Sequence, residues 1–224
     1  MSFISPYLKK AKIDGYGFGY LATENIKKNT IVIREKPLFL LEKSSVSDIF
    51  EMLNLIIRAD NNKIDKYLEL TPHILPSSIL NESIQTELNI FKRKSDQLYN
   101  FITSKLEYDD ILIWCHKYIR NAFLVKDKVM ILEKGTVFNH SCIPNVIFGM
   151  RGGQVIFITT RDILKGEQLF DTYIDITDTR RKRRDRLSKQ YGFDCQCDRC
   201  TVSEKKYNII VNNIVKLKNE IFNK

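Results

Sequence analysis

The 224-residue chain predicts an α+β fold, with short strands towards both ends and a helical lobe between them. Three observations carry that expectation. β-Branched and aromatic runs broken by turn residues fill 14–41 and return after 122. Apolar residues recur at helical spacing between 49 and 118. A C-x-C-x-x-C cluster at Cys195, Cys197 and Cys200 then precedes a final amphipathic stretch.

The first strands fall within DGYGFGYLATENIKKNTIVIREKPLFLL, split by a turn at Lys27-Lys28-Asn29. Pro37, which cannot donate to a ladder, marks a strand end or an edge. From about 44 the texture changes. Ile49, Met52, Leu53, Ile56 and Ile57 line one side of a helix that Ser47 or Asp48 can cap. A second helix is expected near 81–105, carrying Ile84, Leu88, Phe91, Leu98, Phe101 and Ile102. A third runs from about 108 to 120 on Ile111, Leu112, Trp114, Cys115 and Tyr118. Thr71-Pro72 and Leu75-Pro76 break the lobe between the first two.

Strand signals resume at 122–125, 129–132, 146–150 and 155–160. Arg151-Gly152-Gly153-Gln154 reads as a hairpin turn between the last two. Residues 203–222 form a terminal helix, with Tyr207, Ile210, Val211, Ile214, Leu217 and Ile221 on one side.

An apolar share of 43% beside 28% charged residues is that of a folded soluble protein, not of a disordered or membrane chain. No run of about 18 apolar residues exists to span a bilayer. The N-terminal MSFISPYLKKAK lacks the apolar stretch of a signal peptide, so a nucleocytoplasmic, reducing location is expected. Five cysteines, an odd number, also fit that compartment better than a disulfide framework.

Cys195, Cys197 and Cys200 can wrap one Zn²⁺, which takes four ligands tetrahedrally and accepts thiolate readily. They leave one vertex open. Cys142, in Asn139-His140-Ser141-Cys142, is the candidate for it, and Cys115 is left as a buried free thiol. Asp194, Gln196, Asp198 and Arg199 make the cluster too polar for a core strand.

The net charge of +9 is uneven. DTRRKRRDRLSK, residues 178–189, holds seven Lys or Arg against two Asp. It reads as the solvated face of a helix with Leu187 and Tyr191 inward; nucleic-acid contact through 180–186 is the second reading.

Gly17-Phe18-Gly19-Tyr20-Leu21-Ala22 satisfies the G-x-G-x-x-A dinucleotide pattern. The context excludes that use. Lys9-Lys10-Ala11-Lys12 is a poor buried parallel strand, and the residues after the loop are strand-like rather than helical. The glycines instead let a backbone turn pass close to a ligand.

Taken together, the G-x-G segment, RNAF at 120–123, FNHSCIPNV at 138–146, RDILKGEQLFDTYID at 161–175 and YGFDCQCDRC at 191–200 resemble the SET-domain protein-lysine methyltransferases. Order and spacing look most like the SMYD branch. Residues 44–114 contain no cysteine, so its MYND finger is not expected, nor is its long C-terminal helical domain. The resemblance implies a SET β-clip core in two parts, 1–43 and 119–190, around a helical insertion at 44–118. A post-SET zinc segment, 191–202, and a C-terminal helix, 203–224, complete the expected division.

The same resemblance implies S-adenosylmethionine as cofactor, one structural zinc ion, and a protein substrate presenting a lysine, such as a histone tail. Gly17, Phe18, Gly19, Asn121, Asn139, His140 and Phe193 match cofactor-binding positions, and Tyr173 matches the catalytic tyrosine. Asp171, Asp175 and Asp178 flank Tyr173 and are expected to form an acidic rim. The competing reading is a non-catalytic SET-fold zinc module acting on chromatin or nucleic acid.

Overall fold

A computed structural model describes residues 2–42, 48–74, 76 and 79–222, and the chain divides into two compact units. The first unit comprises residues 1–36, 134–188 and 193–224; the second comprises 37–133 and 189–192. The chain enters the first unit through β1 (Phe3–Ile4), β2 (Leu8–Ile13), β3 (Gly17–Ala22) and β4 (Ile31–Glu35). The second unit follows, with β5 (Phe39–Glu42), α1 (Asp48–Ile57), α2 (Asn61–Leu68) and α3 (Leu80–Lys94). It continues through α4 (Asp96–Thr103), α5 (Tyr108–Asn121), β6 (Ala122–Val125) and β7 (Lys128–Ile131). Back in the first unit come β8 (Asn139–His140), β9 (Val146–Arg151), β10 (Gln154–Thr159) and β11 (Gln168–Asp171). Three helices finish it: α6 (Arg180–Arg186), the short α7 (Asp198–Thr201) and α8 (Glu204–Phe222).

The first unit holds two four-stranded sheets, in orders β1-β4-β10-β9 and β2-β3-β11-β8. Val32 and Ile33 of β4 and Val155 and Phe157 of β10 are completely buried between antiparallel neighbours. The β9–β10 hairpin closes with Arg151 opposite Gln154. Gly152 (φ 58°) and Gly153 (φ 72°) take the left-handed conformations that a two-residue turn of this kind requires. Against β9 packs α8, whose Val211 and Ile214 form a small cluster with Ile147 and Ile176. A Cβ on Gly149 would lie 2.2 Å from the Phe222 ring, so the bare backbone there is what admits the end of the helix.

The second unit is a helical core backed by the three-stranded sheet β5-β7-β6. Phe50, Met52, Leu53 and Ile56 of α1 pack with Tyr67, Phe91 and Ile102, all fully buried; the Phe50 and Phe91 rings stack at 4.9 Å. Each such ring removed from water contributes about 2–3 kcal/mol.

Four features differ from the expectations or add to them. The lysine-rich segment before the glycine loop is a strand: β2 pairs antiparallel with β3 from Leu8–Ala22 to Ile13–Gly17, at the sheet edge where lysines face solvent and deter further pairing. The long helix near 81–105 is two helices. Ser95 (φ −150°, ψ 78°) breaks it, and the apolar stripe stays in phase across the break, so periodicity alone conceals it. α2 was not anticipated; Asp60 caps it by accepting from the Lys63 amide at 3.0 Å. The basic helix buries Leu187 as expected, but it also buries Arg183 completely. Ser47, the alternative cap for α1, lies outside the described residues.

Candidate active site and metal centre

Strand order brings the glycine segment, the Asn-His segment and the Tyr173 segment side by side. β11 pairs antiparallel with β3 (Leu169 opposite Tyr20) and parallel with β8 (Phe170 opposite Asn139, Asp171 opposite His140). Gly17 takes φ 77° with open space where a side chain would stand, and Phe18 beside it is 60% exposed. At Gly19 the space a side chain would need is already taken. A Cβ there would lie 2.6 Å from the Asn139 Nδ2 and 2.7 Å from the Ile13 side chain, so the gap is filled by the protein itself. The Asn139 amide uses that room to donate to the Phe18 carbonyl at 3.1 Å.

His140 is buried, and both its ring nitrogens are engaged. Nδ1 accepts from the Tyr173 amide at 3.1 Å, which leaves the proton on Nε2, 3.4 Å from the Cys142 sulfur. Burial pushes the imidazole down to about 4, so it is neutral at physiological pH. Neither nitrogen is left to act as a base. The Tyr173 hydroxyl donates to the Phe138 carbonyl at 2.8 Å, which fixes the ring and turns the remaining oxygen lone pairs away from that bond. Phe193 lies 6.1 Å from the His140 ring and is 37% exposed. Asn121 belongs to the second unit, where its amide donates to the carbonyls of Thr71 and Lys117.

The four cysteines singled out in the sequence converge. The sulfurs of Cys142, Cys195, Cys197 and Cys200 all lie within 4.8 Å of one another, and Cys142 is 3.9 Å from Cys195 and 3.6 Å from Cys200. A tetrahedron with metal–sulfur bonds of about 2.3 Å has edges of about 3.8 Å, so the cluster fits one tetrathiolate ion. Cys115 stands apart in the second unit, completely buried, and burial drives its thiol upward.

Two arginines lie at this cluster, Arg183 from the basic run and Arg199 from the cysteine segment itself. Arg183 and Arg199 are 0% and 3% exposed. Arg183 reaches to 3.9 Å from the Cys200 sulfur and donates to Glu204 at 2.8 Å. The position of Arg199 inside C-x-C-x-x-C was the available signal; Arg183 was hidden within a run of surface cations. The acidic rim is also revised: Asp171 is 1% exposed, and burial pushes its carboxyl up to about 7. Asp175 is exposed, with its carboxylate held by the Thr177 amide and hydroxyl.

The SET domain family matches residues 17–174, and the chain belongs to that family. A putative SET domain-containing protein of Acanthamoeba polyphaga mimivirus is 38% identical over 200 residues, covering 85% of this chain and 76% of its own length. The chicken N-lysine methyltransferase SMYD2 is 32% identical over 117 residues, 48% of this chain; the match spans only 27% of SMYD2. A solved structure of Rubisco LSMT bound to AdoMet superimposes with a TM-score of 0.64 over 85% of this chain and 52% of that one. At 14% identity this likeness establishes the mixed α+β SET fold alone. Among the described residues no helix is long and apolar enough to cross a membrane.

Proposed function

We propose that this chain is an S-adenosylmethionine-dependent protein-lysine N-methyltransferase with one structural zinc ion. The observation that carries the reading is the junction of β3, β8 and β11, where Gly17–Gly19 and Asn139–His140 meet on hydrogen-bonded strands and Tyr173, two residues beyond β11, is tied by its amide to His140. Gly17, Phe18, Gly19, Asn139, His140 and Phe193 hold the cofactor. Support for the glycine loop lies in the open space at Gly17 and the exposed Phe18 and Phe193 rings, faces on which a planar base can stack. Cys142, Cys195, Cys197 and Cys200 hold the zinc.

The bound cofactor supplies an electrophilic methyl group on a sulfonium. What the chain must provide is alignment and an uncharged amine. Lysine's pKa of about 10.4 leaves roughly one amine in a few thousand neutral at pH 7. An apolar passage desolvates the ammonium and lowers that value, so the proton leaves to water without a dedicated base. Tyr173, with its hydroxyl proton committed to Phe138, offers its oxygen lone pairs to orient the transfer. His140 fixes the Tyr173 backbone rather than moving protons.

Labelled cofactor incubated with histones and cell extract should yield methyl-lysine, and Tyr173→Phe should lower transfer by about a hundredfold or more. A zinc-loaded, cofactor-binding preparation that methylates no protein would falsify the enzymatic reading. A melting shift with S-adenosylmethionine separates it from a SET-fold module that binds chromatin without catalysis. Histone tails are the first substrate class to try, and a nuclear location goes with them. A nucleic-acid role rests on the exposed Arg181, Lys182, Arg184 and Arg186 of α6; duplex binding that is absent or insensitive to salt rejects it.

A further inference from the structure

Arg183 and Arg199 each carry a permanent charge, since a guanidinium does not deprotonate in proteins. Burying such a charge is costly unless it is paired and hydrogen-bonded. Their hydrogen bonds go to backbone carbonyls, to one carboxylate and, from Arg183, to the Cys200 sulfur at 3.9 Å. Arg183 donates to the Asp178 carbonyl and Arg199 to the Ile176 carbonyl. Glu204, the first residue of α8, lies 2.8 Å from Arg183 and 3.9 Å from Arg199. One carboxylate, a third of it open to solvent, cannot balance two buried cations. The sulfur cluster, 3.9 Å from Arg183 at Cys200, is placed to supply the remaining negative charge. Four protonated thiols supply none, whereas a divalent ion held by four thiolates carries two excess negative charges.

We propose that Arg183 and Arg199 are the counter-charges of the four-cysteine metal centre, favouring its metal-loaded state and tying metal occupancy to the backbone of residues 176–178, just past Tyr173. The inference rests on the zinc reading given above and extends it from ligands to the charges around them. It gives the arginines positioning roles; neither touches the reacting groups. It also explains why part of a basic run points inward, where no nucleic acid can reach it. When the metal leaves, the guanidiniums lose the charge they pack against, and the carbonyls of Ile176 and Asp178 that they hold lose a fixed anchor.

The test uses the full-length, zinc-loaded protein under reducing conditions. Arg183→Met should release zinc to a chelator about tenfold faster than wild type, or more, the usual scale for loss of a group that supports metal ligands. Arg183→Lys should restore part of that retention, because it returns the charge without the fork. In the cobalt-substituted protein, Arg183→Met should move the sulfur-to-metal charge-transfer band to lower energy, since the sulfurs lose a neighbouring cation. Arg186→Met removes an equal charge from an exposed position on the same helix and should match wild type in both measurements.

Wild-type zinc release together with an unmoved cobalt band in folded Arg183→Met overturns the proposal, as does equal release from Arg186→Met. Should Arg183→Met fail to fold, wild-type protein stripped of zinc supplies the answer by amide hydrogen exchange. Residues 174–178 should exchange faster than in the loaded protein while α3 is unchanged; equal rates at 174–178 reject the coupling. A wild-type protein that carries no zinc at all removes the metal reading itself, a result distinct from zinc held without help from Arg183.

Discussion

Lys117 of the helical unit and Arg183 of the β-rich unit are 2% and 0% exposed, yet they are buried in different ways. The Lys117 ammonium donates to the carbonyls of Leu68, at 2.9 Å, and Leu70, all neutral partners at the end of α2. Burial lowers its pKa to about 8, so it can shed its proton when the charge becomes too costly. Arg183 has no such escape, and it sits among a carboxylate, a backbone carbonyl and a cysteine sulfur. The helical unit therefore tolerates its buried cation by itself. Under the zinc reading proposed above, the clasp depends on thiolates, and through them on metal.

The largest effect should come from breaking the clasp. Cys197→Ser removes one of four ligands from a centre whose metal binding is worth on the order of 10 kcal/mol. Metal analysis should find little zinc, cofactor affinity should fall with it, and hydrogen exchange should quicken around 193–204. Protection in α1 and α3 should persist, because their core contains no ligand; collapse of both regions together would erase the contrast.

Asp171 sharpens the comparison from the anionic side. Its carboxyl is raised to about 7 by burial, offset only in part by the Thr172 amide and the Lys218 ammonium. The unfolded chain ionises near 3.9, so between that pH and 7 the unfolded state loses its proton first. Stability must then fall as pH rises from about 4 to 7 and level off above. Asp171→Asn should lack this fall and be more stable than wild type at pH 8, by on the order of 4 kcal/mol relative to their difference at pH 4. Denaturant melts at the two values check it; parallel pH profiles would show that the carboxylate is accommodated.

Lys117 gives the opposite slope. Its folded pKa lies below the reference of about 10.4, so between pH 8 and 10.4 the unfolded state binds more protons and stability rises with pH. Wild type should gain on the order of 3 kcal/mol over that interval, and Lys117→Met should gain none of it. The smallest effect is expected for Cys115→Ser, which puts a hydroxyl in an apolar site at a cost of about 1–3 kcal/mol. Zinc content and cofactor binding should be unchanged. Equal metal loss from Cys115→Ser and Cys197→Ser would mean that the fourth ligand is misassigned.

The sequence by itself determined the mixed α+β class, the helical lobe between strand-rich parts, the 151–154 hairpin turn and the four thiols that converge. These features rest on local chemistry: side-chain period, turn residues with positive φ, and the narrow set of residue types that can bind a soft divalent ion. Tertiary structure alone decided which members of a polar run face inward. Edge position made a strand of the lysine-rich Leu8–Ile13 segment, because an antiparallel partner supplies its backbone bonds while the lysines stay in water. Ser95 divided a helix whose apolar stripe never changed phase. Gly19 is bare to admit the Asn139 side chain, a neighbour 120 residues away in sequence. Arg183 and Asp171 look like surface residues when read along the chain. Only tertiary packing buries them, because burial depends on what the fold brings alongside, which residue type and local period do not encode.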